Sequence, residues 1–179
     1  LHDLGLEFTE EDIQTLFAKF KSLADKKHEI TDADIRALVA GTAVENPEGF
    51  QFNNLRLTTN ADETITAAVS LSNEEGEVLE FLANGQGSVE AIFNAIDQFF
   101  NQTVRLTSYN IDAVTDGIDA QARVLVSVEN VDTDTIFNAS GLDFDVLKAS
   151  AIAYINANTL VQKENAGEMG RAVSYRDLP

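Results

Sequence analysis

VLEFLANGQGSVEAIFNAIDQFF, residues 78–100, decides the fold. Val78 to Ala83 reads as a strand, Asn84-Gly85-Gln86-Gly87 breaks it, and Ser88 is placed to cap a helix. That helix carries Val89, Ile92, Phe93, Ile96, Phe99 and Phe100 along one side. Upstream, Asn73–Gly76 is a turn, and Ile65, Ala67, Val69 and Leu71 form the apolar face of a preceding strand. Further back, Phe50 and Phe52 alternate, then Leu55 and Leu57 alternate in the opposite phase. A phase slip at Asn53–Asn54 inverts the side-chain alternation, which predicts a β-bulge.

Downstream the same order recurs. Val104, Leu106, Tyr109, Ile111 and Ala113 form a strand with a similar mid-strand slip, followed by a turn over Thr115–Asp119. Ala122, Val124, Val126 and Val128 make the next strand. Asp132 to Ala139 supplies a turn and a third strand, Ser140-Gly141-Leu142-Asp143 breaks it, and a helix runs from about Asp145 to Leu160. The offset between the copies is roughly 55 residues, and two copies are too few for a solenoid. The fold class is therefore α+β: two βββα repeats with pseudo-two-fold symmetry. One such unit cannot bury both its sheet and its helix, whereas two related by an approximate two-fold axis can. The helices then stack on a shared surface, or the sheets pair edge to edge. Ala149, Ala153 and Ala157, at i, i+4 and i+8, suit close approach to another helix or to a sheet.

The N-terminal stretch reads as a small helical hairpin. Thr9 caps a first helix with Glu10, Glu11 and Asp12 in its first turn and Ile13, Leu16, Phe17, Phe20 and Leu23 recurring at helical spacing. Thr31 caps a second, with Ile35, Leu38 and Val39, which Gly41 ends. Thr42 to Gly49, with Asn46 and Pro47, reads as a linker. These readings give a small helical subdomain over 1–45, a domain of two βββα units over 46–162 (units 50–101 and 103–160), and a polar, flexible tail over 163–179.

Composition narrows the function. The formal charge of −18 repels phosphate backbones and anionic lipid, so no nucleic-acid or membrane partner is expected. No apolar run approaches the ~20 residues of a membrane span, and the acidic start carries no secretory signal. With no cysteine there is no disulfide and no thiolate metal site, in keeping with a reducing, cytoplasmic setting. The only histidines, His2 and His28, cannot build a histidine-rich metal site. The first residue is Leu1 and the only methionine is Met169, which reads as a fragment of a longer chain.

Nothing argues for catalysis. No Gly-x-Ser-x-Gly elbow is present, neither histidine adjoins a plausible nucleophile, and carboxylate pairs are uninformative in so acidic a chain. Asp132-Thr133-Asp134-Thr135 fails as a calcium loop, because Ile136 and Phe137 stand where a ligand and a glycine are needed. Two features admit a binding role. The Gly85–Gly87 turn before a helix N-terminus suits either a positive-φ turn or a close approach of backbone to a small anionic ligand. Tyr109, with Leu106, Ala113, Ala120 and Ala122 as neighbours, suits either a core filler or the wall of a pocket for one branched side chain.

Leu6-Glu7-Phe8-Thr9-Glu10-Glu11-Asp12, Phe17 to Lys27 and Glu29 to Ile35 together resemble the connector region of 2-isopropylmalate synthase. Asn84-Gly85-Gln86-Gly87-Ser88-Val89-Glu90-Ala91 is similar to that family's Gly-Asn-Gly-Pro-Val-Asp-Ala, with Ser88 in place of the usual proline. Gly117 to Ala122 and Lys148 to Ala157 also resemble it, so the likeness runs in order over residues 1–160. The resemblance implies a C-terminal regulatory domain that forms a homodimer and binds L-leucine as feedback inhibitor. It implies a leucine site at Gly85, Gly87, Val89, Leu106, Tyr109, Ala113, Ala120 and Ala122. It also implies that this domain is not itself an enzyme and needs no cofactor. The parent's condensation of acetyl-CoA with 2-oxoisovalerate, and its divalent metal, would belong to a catalytic domain that this chain lacks. Two alternatives stay open: an isoleucine-sensing domain of citramalate synthase, and a ligand-free dimerisation module.

Overall fold

A computed structural model describes residues 13–18, 43–113 and 120–167. The element order is β1 (Gln51–Thr59), β2 (Ile65–Ser72), β3 (Val78–Gly85), α1 (Ser88–Phe100), β4 (Val104–Ala113), β5 (Ala122–Asn130), β6 (Thr135–Asp143) and α2 (Val146–Asn165). Two antiparallel meanders, β1-β2-β3 and β4-β5-β6, are each followed by one helix, so the βββα duplication holds. Both phase slips are present. The β1–β2 register shifts between Phe52 and Asn54, and the β4–β5 register shifts between Leu106 and Ser108. Each extra residue, Asn53 or Thr107, keeps the apolar side chains beyond it on the helix-facing side.

The middle strands hold the core. Ala67, Val69 and Leu71 of β2, and Val124, Val126 and Val128 of β5, are buried against the helices. Three outward positions of these strands, Ala68, Ser70 and Ser127, are small and are buried as well. Longer cross-strand neighbours shield them: Arg56, opposite Ala68, ion-pairs with Glu80, opposite Ser70, at 3.1 Å.

The two sheets are not hydrogen-bonded to each other; the units join through their helices, and α1 packs on α2. Phe93 of α1 stacks on Tyr154 of α2 with ring centroids 4.0 Å apart, and the Tyr154 hydroxyl donates to Asp97 at 2.6 Å. The Gln102 side-chain amide donates to the Asn158 carbonyl at 2.8 Å, closing the same seam. β1 also lies against α2. Phe50, Phe81, Phe99 and Phe100 meet edge to face around the end of α1.

Several boundaries depart from the sequence reading. β6 does not break at Ser140; it continues to Asp143, with Gly141 paired to Val124. The glycine sits inside the strand because α2 crosses it: a Cβ there would run into the Ala149 carbonyl and lie 2.5 Å from the Ala153 nitrogen. Ala149, Ala153 and Ala157 are all fully buried, so the small-residue stripe serves close approach between α2 and its surroundings. β3 likewise runs to Gly85. Ser88 does not cap α1; Gly87 occupies the N-cap and no side chain accepts there. α2 extends to Asn165, five residues past the expected end, because Asn130 donates to both Glu164 and Asn165 at 2.8 Å. The segment read as a linker is partly structured: Val44 pairs in parallel with Ala139, donating to Asn138 at 3.1 Å and accepting from Ser140 at 2.9 Å. Of the hairpin, residues 13–18 are helical with Leu16 buried, but Phe17, assigned to the apolar stripe, is exposed. The second hairpin helix and the Thr115–Asp119 turn lie outside the described residues.

Candidate functional site

Each helix covers mainly the second and third strands of its own sheet. On β4 the helix-facing side therefore stays open at its edges. Leu106, paired with Val128, is 40% exposed, and Ile111, paired with Val124, is 57% exposed. Between them Tyr109, paired with Val126, is half-buried.

Tyr109 is held from two directions. Its hydroxyl lies 2.6 Å from Ser150 Oγ in the second turn of α2, and its ring meets Phe93 of α1 edge to face at 6.0 Å. Val89 stands four residues before Phe93, hence on the same side of α1. Ala113 pairs with Ala122 at the far end of the β4–β5 ladder, and Ala120 lies two residues before Ala122, ahead of β5. Of the eight residues singled out, Leu106, Tyr109, Ala113 and Ala122 thus share one face of the second sheet, and Val89 lies on the Phe93 side of α1.

The two glycines behave differently. Neither has positive φ, so a left-handed turn is not what selects them. A Cβ on Gly85 would lie 2.5 Å from the Ala91 nitrogen, so Gly85 is needed for close packing of β3 on α1. Gly87 is exposed, with φ −140°, and a Cβ there would meet open space.

The helix ends contrast. At α2, Asp145 Oδ1 accepts from the Leu147 and Lys148 amides at 2.7 and 3.3 Å. At α1 no side chain caps the first turn, leaving backbone amides there as donors. Such an end favours negative charge.

Two groups at the helix seam are shifted, Asp97 and Tyr154. Burial pushes Asp97 above the usual carboxylate range, although the Tyr154 hydrogen bond opposes the shift. Burial, the hydrogen bond to Asp97 and its negative charge together push Tyr154 far above the usual tyrosine range. A separate cavity of about 320 Å³ lies beside β6, with Glu45, Phe52, Arg123 and Asn156 among its walls. There Arg123 pairs with Glu45 at 3.4 Å, and Asn156 donates to the Glu45 and Ser140 carbonyls. Among the described residues no three acidic or histidine side chains converge as a metal site would need, and no helix is long and apolar enough to cross a membrane.

Sequence reasoning missed Ser150 and Phe93. Ser150 is the one hydroxyl among Ala149, Ala151 and Ala153, which is a signal; Phe93 shows itself only through its spacing from Val89.

Relatives agree with this architecture. The chain is 73% identical over all 179 residues to 2-isopropylmalate synthase of Streptococcus gallolyticus (strain UCN34), spanning 34% of that protein. It is 53% identical over 177 residues to the enzyme of the same name from Lactococcus lactis subsp. lactis (strain IL1403), again 34% of its length. A Listeria monocytogenes (serotype 4b, strain CLIP80459) 2-isopropylmalate synthase is 39% identical over 158 residues, 88% of this chain and 31% of that one. The chain thus spans about a third of the length of these relatives, matching their C-terminal part. Residues 29–161 match the LeuA allosteric (dimerisation) domain, which covers both βββα units and their joining helices, and the chain belongs to that family.

Proposed function

We propose that this chain is the effector-sensing domain of a cytoplasmic 2-isopropylmalate synthase, that it pairs with a second copy of itself, and that it binds L-leucine as a feedback inhibitor. The observation that carries this reading is the open apolar face of β4 around Tyr109, whose ring meets α1 at Phe93, taken with the uncapped first turn of that helix. Leucine matches both halves. Its isobutyl group fits against Leu106, Tyr109, Ala113, Ala120 and Ala122, and burying such a group contributes about 1.5–3 kcal/mol. Its carboxylate suits the amides that follow Gly87, where the helix dipole favours an anion. A ligand this small needs both contributions to reach useful affinity.

Chemistry belongs elsewhere in this account. The catalytic domain of the parent enzyme would hold the divalent metal and join acetyl-CoA to 2-oxoisovalerate, while this domain supplies only a bias between two states. Leucine lowers activity to the extent that it binds the less active state more tightly. Leucine is preferred over isoleucine as the effector because the relatives reported above are named 2-isopropylmalate synthases. The two differ by the position of one methyl group, a discrimination of about 1–3 kcal/mol.

Calorimetric titration of the 179-residue chain with leucine and, separately, isoleucine tests the reading. Saturable heat with leucine, weaker with isoleucine, is expected. No heat from a folded sample across millimolar leucine would favour a dimerisation module without a ligand.

A further inference from the structure

The hydrogen bond between Tyr109 and Ser150 has a direction that follows from its surroundings. Ser150 is fully buried, and its Oγ lies 2.7 Å from the Val146 carbonyl and 2.6 Å from the Tyr109 hydroxyl. A carbonyl only accepts, so the single Ser150 proton goes to Val146. The Tyr109 hydroxyl is then the donor, and Ser150 Oγ is its acceptor. Phe93 flanks the same ring from α1 at 6.0 Å. The phenol is therefore tethered at its tip by α2 and braced at its side by α1, while its backbone belongs to β4.

We propose that Ser150 is a positioning residue for the effector pocket: by accepting the Tyr109 proton it fixes the ring that shapes the pocket wall, and so sets the selectivity among branched-chain amino acids. The proposal rests on the reading of Tyr109 as part of a leucine site. Ser150 touches no ligand in this account and acts through the phenol. Cutting the tether lets the ring change rotamer, and a mobile wall distinguishes leucine from isoleucine poorly, since shape alone separates them. The same tether ties the pocket to the first turns of α2, so occupancy on β4 is felt by the helix that joins the two units.

The experiment compares the unaltered chain with Ser150→Ala, Tyr109→Phe and the double variant. Tyr109→Phe removes the same bond from the other partner without touching the buried helix, so the test survives if Ser150→Ala folds poorly. Leucine and isoleucine affinities are measured by calorimetry, and mobility of the Tyr109 ring by NMR of ring-labelled tyrosine. Each single variant is expected to weaken leucine binding about three- to tenfold, the range for one neutral hydrogen bond. The double variant should be no weaker than the worse single, because both remove one interaction. The leucine-to-isoleucine affinity ratio should shrink in all three, and ring signals should average in Ser150→Ala. A merely structural serine would lower thermal stability and leave the ratio unchanged; that result, or additive losses, overturns the proposal. Unchanged ring mobility in Ser150→Ala overturns it independently of any ligand. An unaltered chain that ignores leucine while its ring stays tethered overturns the effector reading instead.

Discussion

Single atoms set the geometry at two glycines. Gly85 and Gly141 sit where a helix backbone crosses a strand, and each leaves no room for a methyl group. At Gly141 the obstruction is main chain of α2, which cannot swing aside as a side chain would. Gly141→Ala is expected to destabilise the fold by about 2–3 kcal/mol, as overpacking against backbone typically does. Urea unfolding measures this, and a midpoint equal to that of the unaltered protein would show that α2 can retreat without cost. At this scale the sequence was partly legible. Both glycines stand out in the sequence, but both read as strand breaks, whereas β3 reaches Gly85 and β6 runs through Gly141. The role of Gly141 depends on Ala149 of α2, eight residues further along the chain, and local pattern does not carry that information.

Elements were more legible than their ends. Both meanders, both helices and both bulges follow from alternation and its phase slips, because a two-residue period leaves little freedom in which side faces the core. The ends depend on tertiary partners. Asn130 extends α2 through Glu164 and Asn165, and Val44 finds its strand partner about 95 residues away at Ala139. How the two helices meet was left open between helix stacking and sheet pairing; the Phe93–Tyr154 stack and the Tyr154–Asp97 hydrogen bond decide for the helices. That contact carries a pH signature. Tyr154 is raised in the folded state, so the folded protein keeps its proton where the unfolded chain releases it. Its contribution is fully present below the ordinary tyrosine value, about pH 10, and is lost as pH rises beyond it. Asp97 is raised as well, so stability also declines as pH climbs from the ordinary carboxylate value through the raised one. In Tyr154→Phe the alkaline decline should flatten, as measured by urea unfolding between about pH 8 and pH 11. An equally steep decline in the variant would place its origin in another group.

The whole molecule consists of two copies of one unit that have diverged at equivalent places. The second copy plugs its helix N-terminus with Asp145, whereas the first leaves its own uncapped. Both first strands leave helix-facing apolar side chains exposed, Leu57 on β1 and Leu106 and Ile111 on β4, but on β4 the central position is a tyrosine tied to the helix seam. The candidate site was legible as a set of residues through family resemblance, and Tyr109 was legible from its small neighbours. Ser150 and Phe93 were not, because both approach from helices whose placement only the assembled fold reveals. The strong negative charge bears on expectations about phosphate-bearing partners and says nothing about which small effector would bind. The most direct measurement is a crystal structure of this chain grown with L-leucine. The account predicts leucine with its side chain against Tyr109 on the open face of β4 and its carboxylate at the α1 amides after Gly87. Leucine seated instead in the cavity beside Arg123 and Asn156, or absent from well-ordered crystals at millimolar concentration, would contradict it.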